Sequence, residues 1–509
     1  MRVTGTASAS SLTPVTTLHL ILGDQLFPEP KIPPGAVVFM AEDRELCTRF
    51  RIHVHKIILF LSAMRHYADD LRAAGHSLRY VAIDDPTAWP TSYEEKILAA
   101  VAATGATRLR IVRPVDRWFA ERIRLCATKA GCALEELPNP GFLTSDTLWD
   151  GWAKSRPNLR MAEFYTWQRR RLGILIEHDG SPLGGRWSFD SENREPLPAL
   201  IPVPTEPKAR TTEHVRAVQG LCRKLFADHP GDPRDFWLPV TRAEARSWLA
   251  QFIVERLPSF GPYEDACPAR ADVLWHSVLT PALNLGLIIP SEVVEAVLAA
   301  PDVDLPSREG FLRQVIGWRE FIRGIDRTHG ERQAAINHWD HRRRLGPAWY
   351  AGKTGVPPWD HCLGVVERRA WCHHIQRLMV LGNAMNLLEV EPRDAYGWFM
   401  ERFCDSADWV MGPNVYGMAL NSDGGVFATK PYICGSPYLR RMGGWPAGDW
   451  CDEVDGLYWG FIARHQAALL RNPRMAQAAR GLERIGGERR ARIERAALGL
   501  RDRVTTSVP

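Results

Sequence analysis

The chain has 509 residues, of which 45% are hydrophobic and 24% are charged. This ordinary globular composition excludes a wholly disordered or fibrous protein, and the length predicts two or three domains. The 64 basic and 59 acidic residues leave a net charge of only +5, which excludes a histone-like chain. Tryptophan is unusually common, and 13 of the 19 Trp residues lie between Trp237 and Trp459.

The first part of the chain alternates predicted strands and helices. It follows a predicted disordered tail, residues 1–16, which lacks the apolar run of a secretion signal. We expect strands over 17–23, 36–40, 78–83 and 109–112, and helices over 57–74 and 94–104. This alternation predicts an α/β domain over 17–150, a parallel sheet flanked by helices. Ligands of such sheets bind beyond the carboxyl ends of the strands.

A connector over 151–213, rich in Pro and Gly from 180 to 210, leads to a larger all-α domain over 214–509. Apolar residues there recur at helical spacing, with predicted loop tracts over 324–361 and 410–455. The helices are expected over 214–227, 242–256, 290–300, 308–323, 363–389 and 455–470. No stretch approaches 18 uninterrupted apolar residues, so no membrane span is predicted.

Ten cysteines are scattered along the chain, and none forms a C-x-x-C pair. Scattered cysteines in a long chain without a secretory leader are typical of reduced core residues. We therefore predict a cytoplasmic protein.

Two segments carry side chains suited to binding a polar heterocycle and its phosphates. His374 and Arg377 share a helix face, and an acidic pair, Asp405 and Asp408, precedes Asn414 by a short loop. An Arg–Asp pair with a nearby Asn is a plausible clamp for a polar ring, although such pairs are more often structural. Adjacent histidines are likewise more often surface or satisfied core residues.

The second segment contains hydroxyls at Ser277 and Thr280, one turn apart at a predicted helix start. They could hold phosphate oxygens with help from backbone N–H groups. The alternative is a simple N-cap by Ser277.

Eight sequence runs together resemble the photolyase/cryptochrome family, in order and at similar spacing from about residue 17 to 480. The resemblance is closest to the bacterial branch with an iron–sulfur cluster and a lumazine antenna, whose characterised members are (6-4) photolyases. The runs are LILGDQL (20–26), FLSAMRHYADDLR (60–72), GGRWSFDSENREPLP (184–198), HSVLTPALN (276–284), FLRQVIGWREFIRG (311–324), WCHHIQRLMVLGNAMNL (371–387), DGGVFATKPY (423–432) and GLYW (456–459).

The resemblance implies an antenna-binding α/β domain and a helical domain that binds FAD. Ser277 and Thr280 would bind the FAD phosphates, with His276 and Asn284 nearby, and Gln314 and Arg319 would line the cavity. Arg377 and Asp408 match the salt bridge beside the flavin ring, and Asn414 matches the residue that faces its N5 position. Asp405, in the clamp described above, is the last of the candidate FAD-binding residues.

For catalysis, the resemblance implies that His374, with His373 beside it, donates a proton to a (6-4) photoproduct, and that Tyr432 borders the lesion pocket. Trp398 matches the first member of an electron-transfer chain. Tyr350 stands where the branch usually has Trp, and the adjacent Trp349 could substitute for it. The alternative for most Trp residues is core packing.

The sequence departs from the branch at the cysteines that bind its 4Fe–4S cluster. Pro358 replaces the first cysteine, and residues 442–449 contain none of the expected pair. We therefore predict that the cluster is absent. The alternative is a rearranged site, made from Cys362, Cys404, Cys434 and Cys451.

Two further positions bear on the antenna and the flavin environment. The resemblance makes 6,7-dimethyl-8-ribityllumazine a possible antenna, with Glu42 at its pocket. Tyr416 stands where the branch usually has Arg, close to the flavin. The remaining candidate antenna residues are Asp24, Gln25, His53 and Lys56.

The leading hypothesis is a monomeric, light-driven DNA photolyase that repairs UV-damaged DNA, with the (6-4) lesion favoured. The alternative is a cryptochrome-like blue-light photoreceptor that binds FAD without repair, and a third reading, a relic without light function, is disfavoured by Trp398.

The last 39 residues carry ten Arg and four acidic residues. They predict either phosphate contacts, through Arg471, Arg474 and Arg480, or a solvated helix of mixed charge.

Overall fold

The computed structural model describes residues 16–193, 195–198 and 200–507. The predicted disordered tail therefore lies almost wholly outside the described residues. Within the described ranges, no helix combines the length and the apolar character needed to cross a membrane.

A five-stranded parallel sheet forms the first part of the fold and confirms the predicted class. The strand order is β3-β2-β1-β4-β5, and every neighbouring pair is parallel. The strands are β1 Thr17–Leu20, β2 Val37–Ala41, β3 Leu78–Val81, β4 Arg108–Val112 and β5 Ala133–Leu137. We did not predict β5, because its acidic sequence and half-buried edge position give no clear apolar run.

Helices flank this sheet and join it to the second part. They are α1 Arg44–Thr48, α2 Val54–Ala73, α3 Tyr93–Thr104, α4 Arg117–Lys129, α5 Asp146–Ala153 and α6 Met161–Leu172. A capping box formed by Ser92 and Glu95 fixes the start of α3. The largest apolar cluster contains both Ile58 of α2 and Phe252 of a later helix, so the two parts share one core.

The second part is mainly helical, as predicted. Its helices through residue 335 are α7 Glu213–Leu225, α8 Arg242–Glu255, α9 Phe260–Tyr263, α10 Thr280–Leu285, α11 Pro290–Ala299, α12 Leu305–Leu312 and α13 Glu320–Ala335. Those that follow are α14 Pro347–Tyr350, α15 Pro357–Arg369, α16 Asn383–Leu387, α17 Pro392–Arg402, α18 Asp408–Gly412, α19 Ser436–Gly443, α20 Trp450–Arg464, α21 Gln466–Arg471, α22 Ala476–Gly481 and α23 Gly487–Val504. Two short strands, β6 Arg343–Leu345 and β7 Thr505–Ser507, pair antiparallel.

Three π-helical segments interrupt these helices, over Arg313–Arg319, Gln376–Gly382 and Pro413–Ala419. The last two contact each other closely, because a Cβ at Gly382 would lie 2.8 Å from the Cβ of Ala419. Such segments occur frequently at functional sites. Together they contain four of the predicted site residues: Gln314, Arg319, Arg377 and Asn414.

The predicted loop tract over 324–361 is wrong in part, because α13 continues to Ala335 and α15 begins at Pro357. Two glycines and several polar residues masked the helical pattern of α13. Gly324 has a packing role, since the ring of Trp149 occupies the space that a Cβ would need there. The predicted tract over 410–455 is also wrong in part, because it contains α19.

The arginine-rich end of the chain packs on α20 through α23. Arg492 binds Asp452 at 2.8 Å, and Arg503 binds Glu453 at 2.9 Å. These two arginines are neutralised within the chain, which favours a structural role for α23.

Candidate active site

The segment before the short helix α10 has a strained backbone. Leu274 and Val278 have φ angles of 52° and 53°, in the left-handed region that residues other than glycine rarely adopt. The indole of Trp248 donates a hydrogen bond to the carbonyl of Ser277 at 3.0 Å. Because α10 begins at Thr280 without a side-chain cap, the alternative of a simple N-cap by Ser277 is wrong.

A buried ion pair joins Arg377 to Asp405. The two guanidinium nitrogens lie 2.9 and 3.0 Å from the two carboxylate oxygens, and the Asp405 side chain is 4% exposed. Arg377 also donates to the carbonyl of Cys372 and lies 4.2 Å from the ring of Phe403. Asn284 donates to the Asp405 carbonyl at 3.0 Å, which places α10 at the same site. Burial opposes the charge, but the adjacent carboxylate raises the pKa of Arg377.

The predicted pairing of Arg377 with Asp408 is wrong. Asp408 accepts two hydrogen bonds from Arg49, at 2.7 and 3.0 Å, and further ones from Tyr396 and Trp118. The two aspartates lie three residues apart, and α18 begins at the second. The chain turn between them directs Asp408 toward the sheet domain and leaves Asp405 for Arg377.

Two other predicted flavin residues have protein partners of their own. Arg319 donates to the carbonyl of Gly141 at 2.6 Å and lies 4.3 Å from the ring of Phe142, at the domain junction. Asn414 donates to the carbonyl of Val410, one turn earlier, at 2.7 Å. Their assignment to a flavin site stays a prediction.

Three histidines lie together beside the Arg377 segment. The rings of His276 and His373 stack, with centroids 4.5 Å apart and planes 10° apart. The ring of His374 lies 5.4 Å from that of His276, edge to face. Burial lowers the pKa of His276 and of His373 well below the ordinary value, so both are neutral at pH 7.

Two acidic residues that we did not predict complete this cluster. His374 Nε2 lies 3.5 Å from Asp265 and 3.9 Å from Glu264. Partial desolvation of this half-exposed side chain opposes protonation, but these carboxylates raise the pKa of His374 above its ordinary value. Burial also raises the pKa of Glu264 to about 7. Gln314 donates to Glu264 at 2.6 Å, so this predicted residue does reach the cluster.

A row of aromatic rings leads away from Arg377. Beyond Phe403, Trp398 lies 5.8 Å away, then Trp349 another 5.8 Å away, then Trp359 another 6.2 Å away, all as centroid distances. Trp349 and Trp359 are fully buried. We did not predict Trp359.

Tyr350 takes a different position from its neighbour. Its side chain is 38% exposed and lies 5.4 Å from the guanidinium of Arg402. Trp349, rather than Tyr350, is therefore the residue of this pair that contacts Trp398.

A cavity of about 1550 Å³ lies between the carboxyl edge of the sheet and the helical domain. This is where a parallel sheet is expected to bind ligands. Its walls include residues that follow β4 and β5, together with side chains of α13, α18 and the third π segment. Among them are Arg113, Asn139, Asp326, Asp408 and Tyr416.

Asp326 makes this cavity wall pH-sensitive. Burial, reinforced by Asp408 and opposed by Arg117, raises the pKa of Asp326 to about 6. The folded chain therefore holds this proton more tightly than the unfolded chain, and the stabilisation is lost as pH rises through about 6. We expect Asp326→Asn to increase the free energy of unfolding at pH 8 by up to about 3 kcal/mol, with a much smaller gain at pH 4.

Urea denaturation of both proteins at pH 4 and pH 8 measures this difference. Asp150→Asn is the control, because that carboxylate is 50% exposed. An equal effect of Asp326→Asn at both pH values would contradict the prediction.

Glu42, the predicted antenna ligand, is fully engaged by the sheet domain. Arg65 donates to its two oxygens at 2.7 and 2.9 Å. The hydroxyl of Tyr80 and the backbone N–H of Ile83 complete its hydrogen bonds.

The other predicted antenna residues are also buried or bonded within the protein. Burial raises the pKa of Asp24 to about 6. Gln25, His53 and Lys56 donate to the carbonyls of Val112, Glu367 and Ser406 respectively. None of the five described residues lines the interdomain cavity. Their antenna role stays a prediction.

Tyr432 packs in an apolar cluster with Trp318 and Phe427. The structure thus places it among the aromatic residues of the helical domain, and its role at a lesion pocket stays a prediction.

The four cysteines of the alternative iron–sulfur site lie in two apolar clusters, and the absence of the iron–sulfur cluster stays a prediction. Cys362 and Cys434 belong to one apolar cluster, with Cys451 packed against it. Cys404 belongs to a different cluster, and its neighbours are Asp405, Arg377 and Lys56. A 4Fe–4S cluster requires four thiolates around one small volume.

The comparisons with known proteins agree with this architecture. The (6-4) photolyase of Agrobacterium fabrum (strain C58) is 32% identical over 486 residues, which cover 91% of this chain and 94% of that protein. A family model described as deoxyribodipyrimidine photo-lyase-related protein matches residues 19–238.

Two solved structures share the fold. One is a bacterial class III photolyase from Agrobacterium tumefaciens, with a TM-score of 0.56 and 17% identity over 98% of this chain and all of that one. The other is a cryptochrome from Synechocystis sp. PCC6803, with a TM-score of 0.56 and 12% identity over 96% of this chain and 99% of that one. The fold is thus the one shared by these two structures, an α/β part followed by a larger helical part. The chain belongs to the photolyase/cryptochrome family.

Proposed function

We propose that this protein is a light-driven, FAD-dependent DNA photolyase that repairs UV photoproducts, with the (6-4) lesion as its favoured substrate. The observation that carries the proposal is His374, held beside Asp265 and Glu264 and next to the neutral pair His276 and His373. Similarity to a (6-4) photolyase over most of both chains supports it.

The residues present fit a flavin nucleotide. Asn284 Oδ1 and both amide atoms of Gln376 are buried without a hydrogen-bond partner among the described residues, and buried polar groups normally have one. When bound, FAD would supply an electron to the lesion under blue light. Arg377 would place a positive charge beside the flavin ring, and Asp405 holds its guanidinium in one orientation.

The protein side chains would donate the proton and bind the damaged DNA. The adjacent acidic residues favour the protonated form of His374, and its 45% exposed side chain can reach a bound nucleotide. The lesion would be flipped out of the duplex, at a lower cost than for a normally stacked base. Arg474, which donates to Thr429 in the loop before Tyr432, would contact phosphate oxygens.

The test is repair of defined duplexes by the reduced protein under blue light. One duplex carries a (6-4) photoproduct and the other carries a cyclobutane dimer. We expect repair of the first and little of the second. Repair of the cyclobutane lesion alone would overturn the lesion assignment, and repair of neither would overturn the function.

We expect Trp349→Phe to slow photoreduction of the bound flavin by at least about tenfold. Phe keeps the ring packing but removes the oxidisable indole next to Trp398. Tyr350→Phe is the control, since that ring lies at the surface. Flavin absorbance under blue light with a thiol reductant gives both rates, and equal slowing by the two changes would contradict the assigned path.

The competing function is that of a blue-light photoreceptor that binds FAD without repair. The observation in its favour is Tyr416, which stacks on Tyr396 with centroids 5.2 Å apart, in place of the arginine of the branch. A repair enzyme binds a damaged duplex more tightly than an undamaged one. Equal affinity for both, with flavin photoreduction intact, would favour the photoreceptor.

For the remaining groups, we propose a lumazine antenna and no iron–sulfur cluster. Extraction of the purified protein would release lumazine together with FAD. Broad iron–sulfide absorbance with stoichiometric iron would overturn the second part.

A further inference from the structure

The three histidines beside Arg377 present nitrogens to a common point. One ring nitrogen from each of His276, His373 and His374 lies within 4.8 Å of the other two. His276 and His373 are 8% and 2% exposed, whereas the side chain of His374 is 45% exposed. The cluster is thus anchored in the protein interior and open to solvent on one side.

His373 is unusual within this cluster. Both of its ring nitrogens are buried without a hydrogen-bond partner among the described residues. A neutral imidazole has one donor and one acceptor, and leaving them unpaired costs about 1–3 kcal/mol. Coordination of a metal ion by one of these nitrogens would compensate part of that cost.

We propose that His276, His373 and His374 bind one divalent transition-metal ion of the Zn²⁺ type, with water in the fourth position. Three imidazoles and one oxygen ligand form a common zinc set, with Zn–N distances of about 2.0–2.1 Å. Asp265 lies 3.5 Å from His374 Nε2 and supplies a negative charge. Tetrahedral binding at these distances places the nitrogens about 3.3 Å apart, so metal binding would draw the three nitrogens together by up to about 1.5 Å.

The three imidazole ligands also determine which metal ions the site would reject. Imidazole nitrogens favour Zn²⁺, Cu²⁺ and Ni²⁺, whereas Mg²⁺ prefers oxygen ligands and keeps its water. The site should therefore discriminate strongly against Mg²⁺.

Metal binding would inhibit repair, an inference that rests on the function proposed above. A metal ion on His374 occupies the nitrogen that would carry the proton. The occupied protein could still bind flavin and absorb light, but it could not donate this proton to the lesion.

Calorimetric titration of the full-length, metal-free protein with Zn²⁺ tests the site directly. We expect one Zn²⁺ per chain, no comparable heat with Mg²⁺, and an affinity at least about 100-fold lower in His373→Gln. His341→Gln is the matched control, because His341 is also buried with both ring nitrogens unpartnered but lies outside the cluster. Unchanged Zn²⁺ affinity in His373→Gln, or no saturable binding by the unmodified protein, would overturn the site.

His374→Asn gives a second test that does not disturb the core, since this side chain is half exposed. It should also weaken Zn²⁺ binding, and Zn²⁺ affinity unaffected by this change would count against the proposed ligand set.

One equivalent of Zn²⁺ should abolish lesion repair, with recovery after chelation. Undiminished repair by the Zn²⁺-loaded protein would overturn the inhibition. A metal-free protein that repairs no lesion would contradict the proposed function, and the titration would still decide the metal site.

Discussion

His374→Asn is expected to reduce (6-4) repair by at least about 100-fold, the lower range for loss of a positioned general acid. Asn keeps a polar side chain, although a shorter one, but cannot carry the proton that Asp265 and Glu264 stabilise on the imidazole. Flavin content and the rate of photoreduction should be unchanged, because the Arg377–Asp405 pair and the Trp398–Trp349 row remain.

The measurement is the yield of repaired oligonucleotide per absorbed photon, with flavin content determined on the same samples. His178→Asn is the control, because His178 is exposed and lies in a turn outside the site. Asp265→Asn should shift the fall in activity to lower pH, because it removes one carboxylate that favours protonated His374. Full repair activity in His374→Asn would exclude it as the proton donor.

Arg377→Met is expected to destabilise the fold by about 3–5 kcal/mol and to abolish flavin binding. The change leaves the carboxylate of Asp405 buried without its bidentate partner. It also removes the hydrogen bond to the Cys372 carbonyl and the contact with Phe403. Both losses affect the helical domain at the point where Asp405 links α10 to the second π segment.

A double-mutant cycle with Asp405→Asn separates the ion pair from general packing. We expect the double variant to be more stable than the sum of the two single losses predicts, by at least about 1 kcal/mol. The control cycle uses Arg72 and Asp69, whose side chains are 52% and 54% exposed, and it should give less than about 1 kcal/mol. Urea denaturation and flavin content are the readouts. Independent effects of Arg377→Met and Asp405→Asn would contradict the buried pair.

Much of the candidate site could be predicted from local sequence. The runs around residues 276–284 and 371–387 contain the histidines, the arginine and the asparagine that the structure brings together. Short, ordered motifs identify such residues because their spacing is fixed by a single helix or turn. Glu264 and Asp265 escaped prediction because they lie outside both runs and reach His374, which belongs to the distant second run, only through the fold. Their one sequence signal was an adjacent acidic pair within an otherwise aromatic and apolar segment.

Neighbouring residues of similar chemistry could not be told apart in this way. Asp405 and Asp408 both suited an arginine partner, yet only the turn before α18 decides which carboxylate faces Arg377. Trp349 and Tyr350 are adjacent on a four-residue helix, where successive side chains point about 100° apart. One of them is therefore buried against Trp398, and the other is exposed.

The sequence by itself determined the parallel α/β part, the helical character of the second part and the family of the protein. Alternating apolar segments and contiguous motifs encode these features locally. Only the tertiary structure decided the partner of Arg377, the row of tryptophans and the acidic neighbours of His374. These depend on contacts between residues far apart in the chain, whose geometry is fixed when the two parts pack around one core.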